Sequence, residues 1–198
     1  MSIRSLKSGL IGTSLLVGNA SYVPPNFDSI ATVLVPSGGS ATITFSSIPS
    51  TYDHLQLRMT AQTNRGTFGS DYHNIIFNSD SGSNYARHTL GGDGDTPLVG
   101  ASASTTYVSG GACGTTTGGT FGSSIIDILD YTNANKYKTV RTFSANDFNG
   151  KISGYGGEVY FFSGLWMSTS AISSITINRN SGSLYSQHSI FSLYGIRG

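Results

Sequence analysis

The feature that most constrains this chain is the period of its apolar residues. Leu55, Leu57 and Met59 alternate with Gln56, Arg58 and Thr60, and Ala41, Ile43 and Phe45 alternate with Thr42 and Thr44. A period of two separates residues onto the two faces of a strand, whereas an amphipathic helix needs 3.6. Ala31–Val35, His73–Ser79, Asn84–Leu90, Phe121–Asp130, Lys136–Ala145, Glu158–Met167, Ile172–Asn178 and Gln187–Ile196 are further strand candidates. Turn chemistry punctuates them: Pro36-Ser-Gly-Gly39, Asp80-Ser-Gly82, Gly91-Gly-Asp-Gly94, Asn133-Ala-Asn135, Asn149-Gly150 and Asn180-Ser-Gly182. Many short strands at regular spacing describe an all-β, antiparallel β-sandwich. The spacing predicts a hairpin joining Ala31–Val35 to Ala41–Phe45, and only Tyr52–Thr63 or Ser168–Ser174 leaves room for a short helix. Leu55, Leu57, Phe143, Phe161, Ile175 and Ile177 are the expected interior.

The first 26 residues read differently. Leu6, Leu10, Ile11, Leu15, Leu16 and Val17 sit among small residues and are followed by Pro24-Pro25, which stiffens the chain and stops a helix before it. Arg4 and Lys7 ahead of Gly9–Ala20 imitate a secretion signal. The apolar run, however, is interrupted by Gly9, Gly12, Thr13, Ser14 and Gly18. The reading is an extended N-terminal arm over 1–26 that docks on a neighbour, joined to a β domain over 27–198. No stretch approaches the ~18–20 apolar residues of a membrane-spanning helix, so a soluble protein is expected.

Composition narrows the function. Of the 198 residues, 11 are Lys or Arg and 10 are Asp or Glu, with a formal net charge of +1. A chain so sparsely charged has no footprint for nucleic acid or an anionic membrane. Near-neutrality also resists self-association poorly. Gly (26), Ser (32) and Thr (21) are abundant, and they crowd Gly100–Gly122, which reads as a long loop or as a strand lying close to another backbone.

Chemistry is hard to find in the sequence. Cys113 is the single cysteine and has no basic neighbour to activate it, so it reads as inert. His54, His73, His88 and His188 do not approach zinc-ligand spacing. Asp71 and His73 share a strand face but read as surface or interface polar residues. Asp93-Gly94-Asp95 resembles a calcium-loop fragment, yet lacks the later acidic ligand and reads as a turn. Glu158 is the only glutamate, so no carboxylate pair for glycoside hydrolysis can be named. No nucleophile elbow, dinucleotide fingerprint or phosphate loop occurs. A protein that is not an enzyme, with no cofactor and no metal, is expected. The aromatics Tyr155, Tyr160, Phe162 and Trp166 are instead candidates for a subunit interface or a ligand platform.

Several segments together carry a resemblance: Ser14-Leu-Leu-Val-Gly-Asn19, Phe27-Asp-Ser-Ile-Ala-Thr-Val33, Ile43-Thr-Phe-Ser-Ser-Ile-Pro-Ser-Thr-Tyr52, His54-Leu-Gln-Leu-Arg58, Ile128-Leu-Asp-Tyr-Thr-Asn-Ala-Asn-Lys-Tyr-Lys-Thr-Val-Arg141, Ser163-Gly-Leu-Trp166, Ser170-Ala-Ile-Ser-Ser-Ile-Thr-Ile177 and Ser192-Leu-Tyr-Gly-Ile196. With these the chain resembles small virion proteins of cyanobacterial and marine bacteriophages. The likeness spans nearly the whole chain and departs in Gly91–Gly119. It implies a jelly-roll body in a homo-oligomer, most simply a trimer, on the phage particle. The expected role is a capsid decoration (cement) protein held on the major capsid protein by the arm. The alternative is a tail or fibre protein binding a host receptor glycan.

Overall fold

A computed structural model describes residues 26–152, 155–179 and 181–197. The arm positions Leu6, Leu10, Ile11, Leu15, Leu16 and Val17 lie outside the described residues. Those residues contain twelve strands and no helix.

One sheet begins with β1 (Phe27–Leu34), β12 (Ile190–Ile196), β3 (His54–Thr63) and β8 (Gly122–Leu129), neighbours in that order. The other is β2 (Ile43–Phe45), β11 (Ile175–Arg179), β4 (Ser70–Phe77) and β7 (Val108–Thr115). The orders 1-12-3-8 and 2-11-4-7 alternate between sheets along the chain, which is the double Greek-key arrangement of a jelly roll. The protein is thus an all-β sandwich, joined at one point by the parallel pairing of β3 and β7 through Gln62↔Gly114 and Thr63↔Thr115. Two further hairpins extend the first sheet past β8: β9 (Lys138–Ile152) and β10 (Tyr155–Trp166), then β5 (Tyr85–Gly92) and β6 (Pro97–Thr105).

The core lies between the sheets. Leu55, Leu57 and Met59 from β3, Ile126 and Ile128 from β8, Ile75 and Phe77 from β4, Ile175 and Ile177 from β11, and Phe191 and Leu193 from β12 are all buried. Each such side chain contributes about 1.5–3 kcal/mol relative to exposure. The expected interior positions Leu55, Leu57, Ile175 and Ile177 are confirmed.

Several expectations are corrected. Ala31–Val35 and Ala41–Phe45 are not a hairpin. β1 pairs with β12 (Ala31↔Leu193) and β2 with β11 (Ile43↔Ile177), so the intervening segment crosses between sheets. The Gly39 N–H donates to the Pro36 carbonyl at 3.1 Å and redirects the chain. Alternation identifies a strand's buried face but not its partner. Tyr52–Thr63 carries β3 rather than a helix, and Ser168–Ser174 is irregular. Of Gly100–Gly122, the segment Val108–Thr115 is a strand in which every residue is buried.

Phe143 and Phe161 are the substantive correction, because both point outward, at 44 % and 56 % exposure. On β9 the inward positions are Val140, Thr142, Ser144 and Asn146, all buried. Thr142 Oγ1 donates to the Ser109 carbonyl at 3.0 Å, and Ser144 Oγ accepts from the Ala112 N–H at 3.1 Å. The inner face of β9 is therefore polar because it bonds the backbone of β7, and its aromatic residue is left outside.

Candidate functional site

Two features stand out, one on each face of the extended sheet. On the outer face, register places Ile125 (β8), Phe143 (β9), Phe161 (β10), Leu90 (β5) and Val99 (β6) side by side across five strands. All five are between 43 % and 76 % exposed. The Phe143 and Phe161 rings stack with centroids 4.8 Å apart. Strand spacing makes this ladder about 19 Å long. One row along lie Ser123, Ala145, Val159, Gly92 and Pro97, with Val159 also exposed. On the other side lie Asp127, Arg141, Ser163 and His88, with Arg141 Nη2 3.4 Å from Asp127 Oδ2. A groove runs between the apolar ladder and this polar row. With rows ~7 Å apart, the three rows cover on the order of 400 Å², of which the ladder and the Val159 row form the mainly apolar part, about two-thirds, an area within the range of the largest apolar patches of monomeric proteins.

On the inner face, the sheets part around the ends of β4 and β10. Tyr72 O–H donates to Glu158 Oε1 at 2.7 Å, and its oxygen lies 3.4 Å from the Tyr160 hydroxyl. Burial, reinforced by the Glu158 carboxylate, raises the Tyr72 pKa, and burial likewise raises that of Tyr160, so both stay protonated donors. Glu158 Oε2 is buried without a hydrogen-bond partner among the described residues. Two clefts flank this tyrosine pair. One, of ≈ 220 Å³, is lined by Asn74, Arg87, Thr89, Tyr107, Ser109 and Phe162 together with both tyrosines. The other, of ≈ 250 Å³, is lined by Arg65, Phe68, Ser70, Leu98 and Glu158 with the same pair.

Of the candidate aromatics, Tyr160 and Phe162 point inward and line the first cleft. Trp166 is core: it is 2 % exposed, stacks with Tyr85 and donates from Nε1 to Asp80 Oδ2 at 2.7 Å. It can serve neither as an interface nor as a ligand platform. Tyr155 begins β10, paired with Ile152, and its side chain lies outside the described residues.

Asp71 and His73 do share a strand face, but both are buried rather than surface polar residues. Asp71 Oδ2 accepts from Thr63 Oγ1, Ser181 Oγ and Ser183 Oγ at 3.1, 2.6 and 2.7 Å, and Oδ1 accepts from the Tyr72 N–H. These bonds compensate the burial of a carboxylate. His73 Nδ1 bonds the Tyr185 hydroxyl at 2.8 Å, and burial lowers its pKa to about 4. Asp93 Oδ1 accepts from the N–H groups of Asp95 and Thr96 at 3.0 and 2.7 Å, the turn that joins β5 to β6. Cys113 is fully buried, and burial raises its thiol pKa well above the ordinary value. His54 Nδ1 accepts from the Asp130 N–H, while His88 and His188 are exposed. Among the described residues, no three His, Cys, Asp or Glu side chains gather to hold a metal ion.

Sequence reading missed the cleft residues Tyr72, Asn74, Arg87, Thr89 and Tyr107. They come from three separate segments, and only the sandwich assembles them.

No family model matches the chain, and no curated protein matches it. Among solved structures, two of a doubly substituted alginate lyase, one with an alginate tetrasaccharide and one with a trisaccharide, align at 13 % and 12 % identity. Both have a TM-score of 0.29, over 87 % of this chain and 98 % and 99 % of theirs. A likeness of that degree carries no conclusion about activity.

Proposed function

We propose that this protein is a non-enzymatic structural component of a bacteriophage virion. In this reading it is a capsid decoration (cement) protein that associates with copies of itself through the outer face of its extended sheet. The observation that carries the reading is the ladder Ile125–Phe143–Phe161–Leu90–Val99. Four of its five residues belong to hairpins added to an already complete jelly roll, so the core does not require them to be apolar. Leaving them in water costs free energy, and a second copy would recover it. The polar row beside the ladder carries both signs of charge, Asp127 and Arg141, which suits a surface that meets itself. A patch of ~400 Å² is about half of what one partner contributes to a standard stable interface. The arm over 1–26, with Leu6, Leu10, Ile11, Leu15, Leu16 and Val17, supplies further apolar area and would reach the major capsid protein. Trimer closure follows the resemblance to phage virion proteins.

Sedimentation of the purified chain at micromolar concentration tests the association. A trimer is expected, and a monomer that does not associate on concentration would overturn it. Deleting residues 1–23 should leave a folded body that no longer attaches to particles lacking the protein. Attachment at undiminished affinity would refute the arm's role. Copy number distinguishes the shell from the alternative, a tail or fibre protein that binds a host glycan. A count comparable to the capsid subunits supports decoration, and a count of a few per particle supports the tail.

A further inference from the structure

We propose that the inner clefts beside Tyr72 and Tyr160 form a binding site for a saccharide bearing an acid group. In this site the Arg87 guanidinium receives the carboxylate or sulfate. Arg87 stands on the inner face of β5, where its guanidinium carbon lies 4.8 Å from the centre of the Tyr107 ring. It makes no ion pair and no side-chain hydrogen bond among the described residues, and no carboxylate lines its cleft. A planar, permanently charged fork held against an aromatic face and left unpaired is suited to an oxyanion. The rest of that cleft is neutral. The Asn74 amide and Thr89 hydroxyl have no side-chain partner among the described residues, and the Tyr72 and Tyr160 hydroxyls add two more bonding groups. Rings of Tyr107 and Phe162 complete the wall. Few directed hydrogen-bonding groups set among aromatic surfaces match the alternating hydroxyls and C–H patches of a sugar ring. A bare anion would use Arg87 and leave the others idle, and a metal ion would be repelled by it.

The second cleft strengthens the case. Glu158, 5 % exposed, lines a space that adjoins the first across the tyrosine pair, and its Oε2 is buried behind that wall without a hydrogen-bond partner among the described residues. A buried carboxylate oxygen left unbonded is costly, and a turn of the Glu158 carboxylate toward the cleft would let a hydroxyl of the next sugar unit satisfy it. The two clefts thus fit successive units, with the acid group at Arg87. This site is independent of the outer ladder and does not need the oligomer.

Titration calorimetry and saturation-transfer NMR on the full chain decide it, with galacturonic acid, galactose 6-sulfate, galactose, digalacturonic acid and sodium sulfate as probes. Either acidic monosaccharide should bind at least roughly tenfold more tightly than galactose, and which of the two binds better identifies the acid group. Arg87→Met, which keeps the apolar stem over Tyr107, should lose that preference. Thr89→Val should weaken binding without removing the charge. Glu158→Gln should weaken digalacturonic acid while sparing the monosaccharide. Arg141→Met, on the outer face, should change nothing. Sulfate alone binding as well as the sugars, galactose binding equally, no acidic sugar binding, or unchanged affinity in both the Arg87 and Thr89 variants would each overturn the proposal.

Discussion

Replacing Phe161 by Ala separates association from folding. Within one chain the Phe161 ring is 56 % exposed and rests on Phe143. Truncation therefore removes only a partly buried ring, whose covered area of roughly 90 Å² should lower monomer stability by about 2 kcal/mol, against the 3–5 kcal/mol of a buried phenylalanine. The exposed half of the ring, roughly 110 Å² of a side chain that can bury about 200 Å², is what a second copy would cover. At ~25 cal/mol per Å² that contact is worth about 2–3 kcal/mol per copy, which corresponds to a roughly 30–150-fold weaker association. Sedimentation velocity over a concentration series measures the association, and urea unfolding of the dilute protein measures the stability. A variant that associates as tightly as the wild type would remove the ladder from the interface. A stability loss above ~3 kcal/mol would instead place the ring in the core.

Other outcomes follow from the same structure. Leu57→Ala, at a fully buried position on β3, should cost about 2–5 kcal/mol in urea unfolding; a loss below ~1 kcal/mol would contradict its core assignment. Gly114→Ala would push a methyl group onto the Thr120 carbonyl and should cost about 1–3 kcal/mol, read as a lowered melting temperature. Burial holds the His73 pKa near 4, below the ~6.5 of an unfolded chain, so the unfolded state binds the proton first as pH falls. The fold's full stability is thus present above pH ~6.5 and declines towards pH 4, by about 2 kcal/mol between pH 7 and pH 5. Equal stability at those two values, measured with the carboxylates still ionised, would refute a buried neutral His73.

Much of this fold is legible in the sequence where the two faces of a strand differ in polarity. Leu55, Leu57, Ile175 and Ile177 alternate with Gln, Arg, Thr and Asn, and that contrast is the burial pattern found. The jelly-roll order was not readable from such periods, because pairing β1 with β12 or β2 with β11 joins segments far apart in the chain. Glu158 and Tyr160 drew notice as the lone glutamate and part of an aromatic cluster. Arg87 and Tyr72 carried no local signal, since their proximity arises only when the added hairpins close over β4.

The reversal at Phe143 has a physical origin in the Gly-rich strand β7, whereas Phe161 points outward because its neighbours Tyr160 and Phe162 take the inner face of β10. β7 lies against β8 and β9 so closely that a Cβ at Gly111 would collide with Ser144 Cβ and one at Gly122 would come within 2.8 Å of Cys113 Cα. At Gly111 the backbone also takes φ +90°, which L side chains rarely adopt. Where β7 faces β8 and β9, sheets packed that tightly leave no room for aromatic side chains between them. The facing positions are therefore Ser124, Thr142 and Ser144, and their hydroxyls bond the backbone of Ser109 and Ala112. Small residues and hydroxyls that resemble a loop in composition are here the most closely packed part of the sandwich. Because the inner positions of β8 and β9 near β7 are committed to small polar residues, the outer positions remain free of core constraint. That Ile125, Phe143, Phe161, Leu90 and Val99 are nonetheless all apolar, in register across five strands, is what folding alone does not explain and what the proposed contact with a second copy would.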